Sequence, residues 1–176
     1  ILDSIPENSF FSLAANLKKL AIKKSSGMDI EYKKLLFKII NIWPDNKLVL
    51  YRLASYYKSK SQYRKSLKIY KKILDHYNSN DRDLFLYAAN LDKIGKWKEA
   101  RVLFLELLKK NPQDTFTLNY VSYKLALKNQ ELELALDLIK KALVLDPDNG
   151  YFLDTLGWVE YKRNNFNCAV YFLEKS

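Results

Sequence analysis

The side chains best suited to chemistry are few and far apart. His76 and Cys168 are each the only residue of their kind. A thiolate metal cluster or a disulfide framework therefore cannot form within the chain. His76 sits beside Tyr77 at a predicted helix end, where an imidazole partners the helix dipole. Cys168 falls at a position expected to face a neighbouring helix, as a small core residue does. Carboxylates pair at Asp81 with Asp83 and at Glu131 with Glu133. Both pairs lie at predicted turns or helix starts, where acids complement the macrodipole rather than share a proton. The stretch "DPDNG" (Asp146–Gly150) has acids before a glycine, as calcium loops do. An EF-hand loop begun at Asp146 would need its Gly one place later and a Glu where Gly157 stands, so "DPDNG" reads as a helix stop at Pro147 with Asp148 or Asn149 capping the next helix. No Gly-rich phosphate loop, Rossmann spacing or Ser-His-Asp set is legible. The residues imply no enzyme, cofactor or metal.

The elements that carry these residues are helical. Of 176 residues, 48% are hydrophobic and 28% charged, with only four Gly and four Pro. That balance predicts a folded, all-α chain, because apolar residues recur at spacings of three and four with little turn punctuation between them. The longest apolar runs are short ones such as Val102–Leu105, far below the roughly 20 residues that span a bilayer. Numbering opens at Ile1 without an initiator Met, and "LGWVEYKRNNFNCAVYFLEKS" (Leu156–Ser176) stops in the middle of an amphipathic pattern. The expectation is a fragment, with further sequence after Ser176.

Prolines set a period. Pro112 and Pro147 are 35 apart, Pro44 precedes Pro112 by 68, and Asn78 fills the slot midway. A repeat near 34 residues follows. Repeats are expected at 47–80, 81–114, 115–149 and 150–176, the last truncated, after a longer one at 9–46 with a long turn at "KKSSG". Counting from the first residue of each repeat, small residues recur at position eight (Ala54, Ala88, Ser122, Gly157) and position twenty (Ser66, Ala100, Ala135, Ala169). Two helices can approach closely there. Large residues at position seventeen (Tyr63, Trp97, Leu132, Phe166) and position twenty-four (Tyr70, Phe104, Ile139, Leu173) are expected to fill the seam between helices. The 115–149 repeat holds one extra residue near Asn129 and Gln130, within a turn, where insertion costs little.

This combination of a large residue, Leu-Gly, Tyr, Ala, an aromatic, Ala and a closing Pro resembles the tetratricopeptide repeat (TPR) family. "LGWVEYKRNNFNCAVYFLEKS" and "ALVLDPDN" resemble it most; Asn78 for Pro and Ser66 for Ala are departures. The resemblance implies a right-handed superhelical solenoid of antiparallel helix pairs, about five repeats in one domain, and a non-enzymatic protein-binding scaffold. The stretch from Leu118 to Phe166 resembles one bacterial branch, in which "GY.LA" precedes "LD.LGW" and whose members are often exported or lipid-anchored adaptors. That implies a periplasmic or outer-membrane-anchored setting, with the cytoplasm as the alternative. Carboxylate-binding members of the family use Lys and Asn at positions five and nine, where this chain has Tyr51 and Ser55.

In stacked helix pairs the first helix of each repeat lines the concave side, through positions two, five, nine and twelve. The expected groove residues are Tyr51 and Ser55; Arg82, Phe85 and Ala89; Asn119 and Tyr123; and Asp154, Trp158 and Tyr161. Leu48, Lys58, Asp92, Phe116, Ala126 and Tyr151 share the same register. An aromatic strip with a few polar anchors suits a peptide or partner protein. Charge is uneven: residues 47–80 carry nine bases against Asp75 alone, +8 of the chain's +10, whereas 115–149 sums to −1. A helical-repeat nucleic-acid binder using Lys65, Lys68 and Lys72 is the alternative reading. Repeat length argues against it, because 34-residue units with a closing Pro belong to protein binders. Regulatory repeats of an enzyme whose catalytic domain lies elsewhere are a third reading.

Overall fold

The fold comes from a computed structural model that describes residues 9–176. Among the described residues there are ten α-helices and no strand. They are α1 (Phe10–Ser25), α2 (Asp29–Ile42), α3 (Lys47–Ser59), α4 (Tyr63–His76), α5 (Asp81–Lys93), α6 (Trp97–Lys110), α7 (Thr115–Leu127), α8 (Leu132–Leu145), α9 (Gly150–Lys162) and α10 (Phe166–Lys175). None of the helices among the described residues is long and apolar enough to cross a membrane. The helices gather into two compact bodies, one ending at Lys96 and one comprising Trp97–Ser176.

Local chemistry explains where the helices begin. Ser9, Asn46, Asp114 and Asn149 each accept a hydrogen bond from a backbone N–H in the first turn of the helix that follows. Asn80 and Asp83 form a reciprocal capping box at the start of α5. These caps satisfy donors that a helix start leaves open. Asn149 is the cap expected of "DPDNG", following the stop at Pro147. Turns inside helix pairs need one left-handed residue, filled by Gly27 (φ 68°), Ser61 (56°) and Asn164 (64°). Between α7 and α8 there are two, Asn129 (53°) and Glu131 (42°). The extra residue expected there is accommodated by this second reversal. In the first repeat the added length is not in the turn. Helix α1 has 16 residues against 13 in α3, and residues 26–28 form a connection as short as residues 60–62. "KKSSG" is mostly the last turn of α1, because its lysines sustain a helix as well as a loop.

In the amino-terminal body α1 packs on α2, α2 on α3, α3 on α4 and α4 on α5. In the carboxy-terminal body α6 packs on α7, α7 on α8, α8 on α9, α9 on α10, and α7 directly on α9. The small residues at positions eight and twenty meet as expected. Ser122 Oγ donates to the Ala135 carbonyl at 2.7 Å, and a Cβ on Gly157 would lie 3.2 Å from the Ala169 carbonyl. The seam residues Tyr70, Phe104 and Ile139 are buried, as is Trp97 at 7% exposure. Phe166 and Leu173 were expected in the seam but are 55% and 40% exposed. Seam residues are covered by the helix that follows: Tyr70 packs with Leu86 and Tyr87 of α5, and Phe104 has its ring 5.0 Å from Tyr120 of α7. Among the described residues no helix follows α10. Cys168, expected to face a helix, is exposed for the same reason.

Candidate functional site

The amino-terminal body uses its first-helix residues for internal structure. Position three is buried in the four repeats from Lys47 onward, and Val49, Thr117 and Phe152 fill it in three of them. In the fourth it is Asp83, whose side chain is fully buried. A carboxylate there must be neutralised and hydrogen-bonded. Lys47 Nζ lies 2.9 Å from Oδ2, the Asn80 N–H donates to Oδ2 at 3.0 Å, and the Tyr51 hydroxyl donates to Oδ1. Lys47 also donates to the Asn78 carbonyl at 2.7 Å, which ties α3 to the residues before α5. The Tyr51 ring lies 6.3 Å from Tyr70 and takes Lys47 Nζ over its face at 5.9 Å. Tyr51 is therefore half-buried, with its polar handle committed inside the protein. Ser55, Phe85 and Ala89 are half-buried, and Arg82 is exposed. Burial holds the Tyr70 phenol above its usual pKa, and the Arg82 charge opposes that rise.

Asp92 and Ala126 share the groove register but are buried, at 7% and 0% exposure. Position twelve is not uniformly covered, since Lys58 and Tyr161 occupy it and are exposed. The charge stripe expected on α4 is interrupted. Lys72 is paired with Asp45 at 2.7 Å, which raises its pKa, while Lys65 lies over the Tyr57 ring at 5.4 Å.

The carboxy-terminal body leaves its first-helix aromatics open. Phe116 and Tyr151 are 79% and 81% exposed, and Tyr123 and Tyr161 are 39% and 46% exposed. These four come from α7 and α9, which pack side by side. Trp158 is half-buried and stacks on Tyr161, with ring centroids 5.4 Å apart at 18°. Lys162 Nζ stands 4.9 Å from the Trp158 centroid. Lys162 escaped the sequence reading, although its spacing of four from Trp158 was the available signal. Asn119 is half-buried, with its Oδ1 buried and without a hydrogen-bond partner; Trp158 Nε1 is in the same state. Asp154 is exposed and helps line a cavity of about 340 Å³ with Gly150, Tyr151 and Ser176.

Ion pairs close the turn edge of this body. Arg163, just after α9, donates to both carboxylate oxygens of Glu133 at 3.0 and 3.1 Å and to Glu160 at 2.9 Å. Arg101 pairs with Glu131 at 2.6 Å. The expected carboxylate pairs thus do structural work: Asp83 caps and is buried, while Glu131 and Glu133 hold arginines. Among the described residues no group of three His, Cys, Asp or Glu could hold a metal.

The chain matches no family model. A TPR repeat-containing protein of Pseudomonas aeruginosa is 24% identical over 172 residues, covering 97% of this chain and 29% of that protein. Another, of Methanocaldococcus jannaschii, is 34% identical over 85 residues, covering 47% of this chain and 14% of that protein. The chain thus spans less than a third of the length of these curated relatives. Among solved structures, MamA from Desulfovibrio magneticus RS-1 superposes with a TM-score of 0.72 at 17% identity, over 93% of this chain and 92% of that one. A tetratricopeptide repeat protein from Parabacteroides merdae gives 0.73 at 18%, over 93% and 66%. YrrB, described as a TPR protein with an unusual peptide-binding site, gives 0.64 at 18%, over 91% and 82%. With period, small-residue contacts, sequence likeness and fold in agreement, the chain has a tetratricopeptide-repeat-like fold and is similar in sequence to TPR repeat-containing proteins.

Proposed function

We propose that the chain is a non-enzymatic scaffold that holds an extended peptide segment of a partner protein against the first helices of its repeats. The observation that carries this reading is the set of aromatics left open on α7 and α9: Phe116, Tyr123, Tyr151 and Tyr161. Rigid aromatic side chains give contact area at low entropic cost, and partners recognise such strips through a few anchors. The unusual peptide-binding site of YrrB supports the same reading. In the amino-terminal body Ser55, Arg82, Phe85 and Ala89 are the corresponding candidates, with Tyr51 contributing its ring alone. A bacterial envelope adaptor is the setting implied by the likeness of residues 118–166 to exported members of the family.

The test places a photo-crosslinking amino acid at Tyr123, Tyr161 and, as a control, Val144, which is 79% exposed on α8. Random extended peptides should crosslink at the two tyrosines and not at Val144. Equal labelling at Val144 would remove the case for this face. The nucleic-acid alternative is weakened by the tie between Lys72 and Asp45. Submicromolar RNA affinity with a steep salt slope, abolished by neutralising Lys65, Lys68 and Lys72, would restore it.

A further inference from the structure

The turn between α3 and α4 and the end of α5 surround a cavity of about 480 Å³, lined by Ser61–Lys65, Lys93 and Ile94. Three of these are bases, Arg64, Lys65 and Lys93, and no acid is in the lining. Among the described residues none of the three bases is in an ion pair with a carboxylate, and Lys65 lies over the Tyr57 ring. Three cations lining one recess repel each other, and no carboxylate among its lining residues offsets that.

The other body shows what usually occupies this place. Arg64 is the second residue of α4, as Glu133 is the second residue of α8. Lys93 and Ile94 end α5, as Lys162 and Arg163 end α9. In the carboxy-terminal body the Glu133 carboxylate sits at the turn edge and takes two hydrogen bonds from Arg163. In the amino-terminal body the equivalent residue is a base, and the edge is open. We propose that an external oxyanion of the phosphate class fills the role of the Glu133 carboxylate, held between Arg64, Lys65 and Lys93. A dianion with several acceptor oxygens matches three cationic donors better than one carboxylate does, and the guanidinium offers a bidentate fork. Ser61, Gln62 and Tyr63 supply neutral hydrogen-bonding groups on the same lining. The site is independent of the peptide reading, since all its residues lie at this edge of the amino-terminal body.

The experiment is a ¹H–¹⁵N NMR titration of the whole chain with inorganic phosphate, chloride being exchanged to hold ionic strength constant. Saturable shifts confined to residues 61–66 and 93–94 are expected. Arg64→Glu should place a carboxylate beside the remaining bases and weaken the phosphate response by about tenfold or more. Lys93→Gln should weaken it less but clearly, which covers the case of a charge reversal that does not fold. Lys71→Glu, the same charge change elsewhere on α4, should leave it within about twofold. An equal loss in Lys71→Glu would mean a diffuse basic surface and would overturn the site. So would shifts spread over Lys68, Lys71 and Lys72, or an oligouridylate response untouched by Arg64→Glu. A second arm compares a phosphoserine peptide with its unphosphorylated form. Tighter binding of the phosphopeptide than of free phosphate supports the site with a protein source; equal binding supports it with a free ion.

Discussion

Position three of the repeat contrasts the two bodies: Asp83 occupies it in one and Phe152 in the other. Phe152 needs only neighbours, whereas Asp83 needs Lys47, Tyr51 and Asn80 to hold its charge. The amino-terminal body thus uses up a first-helix tyrosine and a lysine on one buried carboxylate. In the carboxy-terminal body uncharged Thr117 and Phe152 close the same slot, and Tyr123, Tyr151 and Tyr161 stay open. The turn edges reverse the pattern, closed by Arg163 with Glu133 in one body and open around Arg64 and Lys93 in the other. One repeat template supports either a buried polar network or an exposed recognition strip, depending on a few side chains.

The largest test separates seam from strip. Trp97→Ala should cost about 3 to 5 kcal/mol of stability in a urea melt, as loss of a buried Trp does. Trp158→Ala should melt within a few degrees of the parent while weakening peptide binding by about 2 kcal/mol. Equal unfolding by the two variants would place Trp158 in the core and end the contrast.

Asp83→Ala should cost about 3 kcal/mol, because Lys47 and Tyr51 lose their partner. Asp83→Val copies Val49 and should remain within about 1 kcal/mol of the parent, since replacing a buried pair by packed apolar volume is often neutral. A Val variant as damaged as the Ala variant would show that the network, not the slot, holds α5.

Alkaline pH probes the same body. Burial raises the pKa of Tyr32 and Tyr70 above the ordinary 10.0. The folded state therefore holds these protons more tightly than the unfolded chain. Their contribution is complete below pH 10.0 and is lost as pH rises through the raised folded values. Urea midpoints should fall along that limb, and the Tyr32→Phe/Tyr70→Phe variant should fall less. Lys60 and Lys72, raised by their bonds to Asp29 and Asp45, act with the same sign. An unchanged limb in the double variant would assign the loss to lysines.

Two serines at the helix-approach positions give a finer contrast. Ser122 Oγ is hydrogen-bonded to Ala135, whereas Ser66 Oγ is buried without a partner. Ser122→Ala should cost about 1 kcal/mol, and Ser66→Ala should be neutral or stabilising by a similar amount. The smallest effect belongs to Glu133→Gln, under about 1 kcal/mol, since Glu133 is 79% exposed and Arg163 keeps Glu160.

Periodic features were legible in the sequence. A helical period, small residues at positions eight and twenty, and the cap in "DPDNG" depend on neighbours within one repeat, so spacing reveals them. The burial of Asp83 was not legible, because Lys47 and Tyr51 lie about one repeat earlier and nothing in the local pattern marks an acid for the interior. Phe166, Leu173 and Cys168 carried the pattern of buried residues, yet exposure depends on what packs next to a helix. Among the expected groove residues, register placed Tyr123, Trp158 and Tyr161 on a first helix, but Lys162 over the Trp158 and Tyr161 rings depends also on its rotamer.

Sequence by itself determined the all-α class and the repeat, because amphipathic periodicity and close helix approach are set by residue size at fixed spacing. Only tertiary structure decided which polar side chains are spent internally and which stay available. That choice depends on contacts between residues some thirty positions apart, where Tyr51 reaches Asp83 and Arg163 reaches Glu133. A buried charge must find its partner across a repeat boundary, and three-dimensional packing alone sets that distance.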